Sequence, residues 1–407
     1  MHILLIHQAF AAIDEPGGTR HHELARYLAG RGHRVTIVAS PVSYLTGNAS
    51  AASRANPMGG EVGEANIAIL RAYTYPALHK SFLHRVFSFI SFMLSSFLTG
   101  LRVADVDLVW GTSPPIFQGL TAWGIARLKR VPFLFEVRDL WPAFAIQVGV
   151  LKNPWLIGAS EWLERFLYRS ADRLMVNSPG FVEHLRARGG GEIALIPNGA
   201  DPKMFDPALD GAEFRQAHGL EGKFVALYAG AHGMSNDLNV VLDAAQLLRP
   251  HPEIAIVLVG DGKDKPALQV RAESLGLENV YFLPPVSKTN MAQVLAAADA
   301  GIAILKPIPL YATVYPNKVF DYLCAGRPVV LAIEGVICQV VEAAQAGFPI
   351  TPGRADEMAE AILKLAADPQ RARQMGLQGR RYIEEHFDRA ALAARLENLF
   401  AAMKEDR

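Results

Sequence analysis

The 407-residue chain has only two cysteines, Cys324 and Cys338. Two thiols cannot form a disulfide framework, and these two lack metal-ligand spacing, so the expectation is a reducing cytosol, buried thiols and no metal; separately, no cofactor is expected. Net charge is absent as well, since 40 Lys+Arg balance 40 Asp+Glu. With no bulk field of one sign, no nucleic acid is expected as a partner, and any bound anion must be held by a local site. A long apolar run is also missing. The best candidate, Phe87–Leu101, is shorter than the roughly 20 residues of a membrane span. It follows His79, Lys80, His84 and Arg85, and precedes Arg102 and Asp105. It reads as a buried helix on a sheet face or, nearly as well, as a helix whose basic, aromatic edge dips into a membrane surface; a true span is the weakest of the three readings. The opening Met-His-Ile-Leu-Leu-Ile has no basic segment before it and reads as a first strand, not a signal.

What is present is apolar material and punctuation: 51% hydrophobic residues, 34 Gly and 25 Pro. At 100–200 residues per domain this length implies two or three domains. Short β-branched runs alternate with helical stretches, the pattern of a parallel sheet covered on both faces. The first half offers strands at Ile3–His7, Val35–Ala39, Ile67–Arg71, Leu108–Trp110, Phe133–Glu136, Leu174–Asn177 and Ala194–Ile196. The second offers Phe224–Tyr228, Ala255–Val259, Val280–Leu283, Gly301–Leu305, Val329–Ala332 and Phe348–Ile350. Between them lies a linker rich in Pro, Gly, Asn and Asp, from Ile196 to Pro207. The expected domains are residues 1–200 and 201–387, followed by a C-terminal helix over 388–407 with apolar residues Leu392, Leu396, Leu399 and Phe400 on one face. Thr46–Gly63 reads as an exposed loop. Two doubly wound domains are expected to present the C-terminal ends of their strands to one cleft.

Candidate chemistry sits at strand exits. Gly17 and Gly18 follow the first strand and precede a helix, so backbone N–H groups can approach a phosphate there. The dinucleotide pattern GxGxxG is absent, which disfavours a dehydrogenase. Glu136, Arg138 and Asp139 crowd the end of the Phe133 strand; they form a structural ion pair or contact a polyol substrate with one carboxylate near the reacting hydroxyl. Gly230, His232 and Asn236 lie in a second glycine turn, with Asn236 or Asp237 suited to the N-cap. Gly260 and Gly262, and Leu283 at a further exit, offer backbone groups that can frame a nucleobase. The most specific run is Thr313–Val330. Pro316 can open a helix, which places Tyr315 and Asn317 at its start and Lys318 in its first turn. Asp321 follows three residues later on the same face. A lysine at the helix end where cations are disfavoured suits phosphate binding better than stability. Asp105-Val-Asp107 spells a D-x-D but runs into a strand, so it reads as coincidence.

These residues resemble glycosyltransferases of the GT-B fold, in particular retaining glycosyltransferase family 4, over essentially the whole chain. The resemblance rests on Ile196-Pro-Asn-Gly-Ala-Asp201, Val259-Gly-Asp-Gly262 and Ala325-Gly-Arg-Pro-Val-Val330. The Arg138-Asp-Leu-Trp-Pro142 and Pro316-Asn-Lys-Val-Phe-Asp-Tyr322 runs look most like the branch containing N-acetylfucosaminyltransferases of O-antigen and capsule assembly. The resemblance implies two Rossmann-like domains, the first on the acceptor side and the second binding a UDP-sugar, without metal. It implies transfer of a sugar, of the HexNAc or deoxy-amino class, to a lipid-linked or polysaccharide precursor by a cytoplasmic protein at the inner face of the membrane. Asp139 and Arg138 would be catalytic. Gly17, Gly18, Gly230, His232, Asn236, Leu283, Tyr315, Asn317, Lys318 and Asp321 would bind the donor. The chain departs from the family pattern at Thr313, where a glutamate is usual, and at Asn236, where a lysine is. Two other readings stay open: a nucleotide-sugar 2-epimerase of the same fold, and an inert nucleotide-sugar-binding partner of a true transferase.

Overall fold

The computed structural model describes residues 1–43, 61–62, 65–76 and 82–406. Apart from Glu61 and Val62, the Thr46–Gly63 loop lies outside the described residues, as do His79 and Lys80. The chain forms two compact units. One comprises Met1–Ala12, Gly18–Pro197 and Ala390–Arg407, the other Ile13–Gly17 and Asn198–Arg389.

The first unit is built on eight strands: β1 His2–His7, β2 Arg34–Ala39, β3 Glu61–Val62, β4 Ile67–Arg71, β5 Leu108–Ser113, β6 Phe133–Val137, β7 Arg173–Val176 and β8 Ile193–Leu195. Their order is β3-β4-β2-β1-β5-β6-β7-β8. All pairs are parallel except β3–β4, where the short Glu61–Val62 strand, invisible in the hydrophobic pattern, runs antiparallel at the edge. β1 reads as a continuous apolar run because both its faces are covered, and every residue in it is buried. Helices α1 (Arg20–Gly30), α2 (Phe82–Leu101), α3 (Phe117–Lys129), α4 (Ala143–Gln147), α5 (Pro154–Ser170) and α6 (Val182–Ala187) connect the strands. Gly111 in β5 lets α3 approach closely, since a Cβ there would stand 2.6 Å from the Ala122 Cβ.

The second unit has six parallel strands: β9 Phe224–Ala229, β10 Ile254–Val259, β11 Val280–Leu283, β12 Ala300–Ile304, β13 Val329–Ala332 and β14 Gly347–Pro349. The order β11-β10-β9-β12-β13-β14 reverses direction between β9 and β12. Helices α7 (Ala212–Ala217), α8 (Leu238–Leu247), α9 (Lys265–Ser274), α10 (Lys288–Ala296), α11 (Asn317–Cys324), α12 (Val336–Ala343), α13 (Ala355–Ala367) and α14 (Pro369–His386) cover it. One core cluster on each sheet face joins alternate strand residues to these helices. The last helix, α15 (Arg389–Glu405), places Leu392, Leu396, Phe400 and Met403 in the core of the first unit with Trp110. The expected doubly wound α/β class is observed in both units.

Candidate functional site

In the second unit the sequence motifs converge at the C-terminal ends of β9, β10 and β11 and at the start of α11, beside the point where strand order reverses. The two glycine turns there lock into each other. Gly260 has φ +146° and a Cβ on it would lie 1.9 Å from the Gly230 carbonyl oxygen; one on Gly262 would lie 2.4 Å from that of His232. Backbone bonds from Gly230 N to Val259 O (2.9 Å) and from His232 N to Asp261 O (2.8 Å) close the joint. Glycine is required at these positions because backbone meets backbone.

Lys318 stands in the first turn of α11, which Pro316 precedes as N-cap. Its Nζ lies 3.6 Å from the centre of the Tyr228 ring and has no hydrogen-bond partner. Gly230 leaves room for it, since a Cβ there would come within 2.9 Å of that nitrogen. Burial pushes the Lys318 ammonium down to about 7. Tyr228 is itself anchored, its hydroxyl donating to Ala231 O at 2.7 Å. Asp321 forms a 2.6 Å ion pair with Lys288 of α10, whose Nζ also lies 4.9 Å from the centre of the Phe205 ring. Tyr322 accepts a hydrogen bond from Ala229 N through its hydroxyl at 2.8 Å, which ties α11 to the end of β9.

In the first unit the charged cluster lies around the end of β6. Glu136 is fully buried and accepts from Arg20 Nε at 3.1 Å and His21 Nε2 at 2.6 Å. Burial works to raise its pKa, but the hydrogen bond from His21 and the Arg20 charge win and hold it below the usual carboxylate range. Burial lowers His21 to about 4 against the pull of Glu136. Arg138 donates to Thr112 Oγ1 and to His7 Nε2, both at 2.8 Å. Asp139 keeps some surface exposure, yet burial of its carboxyl raises it to about 6 against the opposing Arg138 charge.

Residues 17–199 match the model of a glycosyl transferase 4-like domain, and residues 210–382 match that of glycosyl transferases group 1. The chain belongs to the GT-B glycosyltransferases of family 4. It is 25% identical over 332 residues to the putative colanic acid biosynthesis glycosyl transferase WcaI of Escherichia coli K12, covering 78% of this chain and 81% of that one. In fold it is similar to sucrose-phosphate synthase from Thermosynechococcus elongatus (TM-score 0.80, 19% identity, all of both chains). It is also similar to Anabaena Alr3699/HepE solved with UDP and glucose (TM-score 0.75, 18% identity, 99% of this chain and 100% of that one).

Within this glycosyltransferase the expected residues fare differently. Gly230, Lys318 and Asp321 come together with the Gly260–Gly262 turn. Asn317 opens α11 beside them, its Oδ1 buried and unpartnered. Tyr315 turns its ring into an aromatic cluster with Phe320 (5.5 Å) and Phe387 (6.1 Å), while its carbonyl accepts from Asn198 Nδ2 at 2.7 Å. His232 does not face solvent: its ring is fully buried near Tyr228 and Phe282, and burial lowers it to about 4. The Leu283 carbonyl is occupied by Lys265 Nζ (2.9 Å) and Gly260 N (3.3 Å), so that oxygen cannot frame a base. Of Asn236 and Asp237, the second is the N-cap residue of α8, with φ +39° and without a side-chain capping bond, and Asn236 N bonds to Gly233 O. Gly17 belongs to the second unit with φ +146°, and Gly18 begins the next segment of the first. Asp107 accepts from His2 N (2.7 Å) and Lys404 Nζ (3.0 Å), a structural role.

Lys288, Lys265, Arg20, His21 and His7 were not singled out from sequence. Arg20 and His21 follow the Gly17–Gly18 turn, but nothing in a single sequence pairs them with Glu136, 116 and 115 positions away. Among the described residues no three His, Cys, Asp or Glu side chains group as metal ligands.

Proposed function

We propose that this glycosyltransferase transfers a sugar with retention, of the HexNAc or deoxy-amino class, from a UDP-sugar to a lipid-linked or polysaccharide precursor of a cell-surface glycan, at the cytoplasmic face of a membrane. The observation that carries the reading is Lys318. A buried ammonium with only an aromatic face beside it, in the first turn of a helix and next to interlocked glycine turns, is built to meet phosphate oxygens. Negative charge develops on the departing diphosphate, and a preorganised cation there stabilises it without reorganisation.

In this reading the N-terminal amides of α11 and the turns at Gly230 and Gly260–Gly262 assist Lys318, with Gly17 and Gly18 as further backbone donors. Asp321, oriented by Lys288, takes the ribose hydroxyls. Arg138 and Asp139, at the end of β6, contact the sugar and the acceptor hydroxyl. The raised pKa of Asp139 suits a group that exchanges a proton near neutrality. No metal takes part. Support comes from the relatives, one a putative colanic acid glycosyl transferase and another solved with UDP and glucose. Both matching family models describe transferases, which favours transfer over epimerisation. A thermal-shift panel of nucleoside diphosphates tests the donor assignment: UDP should stabilise the protein most, and the reading fails if none does.

A further inference from the structure

Eight of the fourteen exposed large apolar side chains among the described residues lie on α2, α3 and α5, so this is not the thin scatter found on any protein surface. On α2, Phe87, Ile90, Leu94 and Leu98 recur at spacings of three and four and form one outward ridge, with Phe87 60%, Leu94 60% and Leu98 58% exposed. The opposite side of α2 is bound to α3: Thr121 Oγ1 donates to Met93 O at 2.9 Å, and Gly124 admits the Phe97 ring. On the far flank of α3, Trp123 meets Phe166 of α5 edge-on at 5.0 Å. Trp155 and Trp162, two turns apart on one side of α5, are 88% and 63% exposed, and Leu128 at the end of α3 is 65% exposed.

The charge on this layer has one dominant sign. α2 and α3 contain no carboxylate, and the two of α5 are engaged. Glu164 is fully buried against His184 and Arg188, and Glu161 pairs with Arg165 at 3.3 Å. With Arg165 taken up by Glu161, Arg85, Arg127, Lys129 and Arg169 remain as the excess charge on these three helices.

We propose that this three-helix layer is a docking face for an anionic lipid surface. The α2 ridge inserts among the acyl chains, and Trp155 and Trp162 anchor at the headgroup level. This deepens the reading of a membrane-presented acceptor by naming the surface and its anchors. A second copy of the chain is the poorer occupant, because a two-fold contact would set one basic rim against another, whereas anionic headgroups neutralise it. The layer lies on the membrane and does not cross it: no helix of the described residues is long and apolar enough to do so.

Vesicle flotation of the full chain tests this, with phosphatidylcholine alone and with added phosphatidylglycerol. The full chain should float with the phosphatidylglycerol vesicles, less so in high salt, with a blue shift in tryptophan emission. Trp155→Ser/Trp162→Ser and Leu94→Ser/Leu98→Ser should each weaken flotation at least about fivefold, and their melting temperatures should show that they fold. Failure of the unaltered chain to float, equal binding to neutral vesicles, or serine variants that float as well as the parent overturns the proposal. So does a dimer in sedimentation that the serine variants dissociate. Nucleoside diphosphate affinity should be unchanged in all variants. If no nucleotide binds while flotation holds, the transferase reading fails and the docking face stands.

Discussion

The Lys318 ammonium rests 3.6 Å from the centre of the Tyr228 ring, inside a site whose backbone is fixed by Gly230. A cation–π contact contributes about 0.5–2 kcal/mol, less than the several kcal/mol that burying an ammonium costs. The pKa accordingly falls to about 7. Any anion within hydrogen-bond reach reverses that shift.

Lys318→Met should therefore leave the melting temperature unchanged or higher, because a desolvated charge is removed. Its affinity for UDP should fall about 10- to 100-fold, the loss of one or two charge-assisted hydrogen bonds. Isothermal titration calorimetry beside a thermal melt separates the two effects.

Proton linkage gives a second signature. At pH 8 the free Lys318 is largely neutral and the diphosphate-bound one charged, so binding takes up a proton; at pH 6 both are charged and uptake vanishes. Calorimetry in buffers of different ionisation enthalpy should show this difference. Lys318→Arg, charged throughout, should abolish it.

Stability should fall on acidification. His7, His21 and His232 are all lowered by burial and stay neutral in the fold, whereas the unfolded chain takes up protons as pH drops through 6.5. Glu136 is depressed, so its contribution is present above its ordinary 4.5 and is lost as pH falls further, in the same direction. The melting temperature should decline steadily from pH 7.5 to 5. Glu136→Ala, leaving Arg20 and His21 buried without their carboxylate, should cost about 3–5 kcal/mol in denaturant melts.

The glycine joint gives a structural prediction. Gly260→Ala forces a Cβ against the Gly230 carbonyl at a left-handed φ and should destabilise by about 3 kcal/mol or more. Gly18→Ala, with nothing within 4 Å of the new carbon, should alter stability by less than about 0.5 kcal/mol. Urea denaturation compares them directly.

The fold was legible because parallel strands buried on both faces must be apolar throughout: all thirteen proposed strands overlap β1, β2 and β4 to β14. The two-residue β3, with no such run, was not. Lys318 was legible because a cation at a helix start contradicts stability alone. Its partner Tyr228 carried no signal beyond ending a strand before a glycine turn. Lys288 carried no signal, since it meets Asp321 across 33 positions of chain and nothing local pairs the two. The burial of His232 was not legible either, because it depends on the Gly262 turn closing against the His232 backbone.

Release of UDP from a panel of UDP-sugars, with and without a lipid-linked saccharide acceptor, tests the central claim most directly. One sugar should give acceptor-dependent UDP release and a lengthened lipid-linked product, and Lys318→Ala should lower the rate at least about 100-fold. Binding of UDP-sugars without turnover, release of an epimer, or full activity in Lys318→Ala would contradict it.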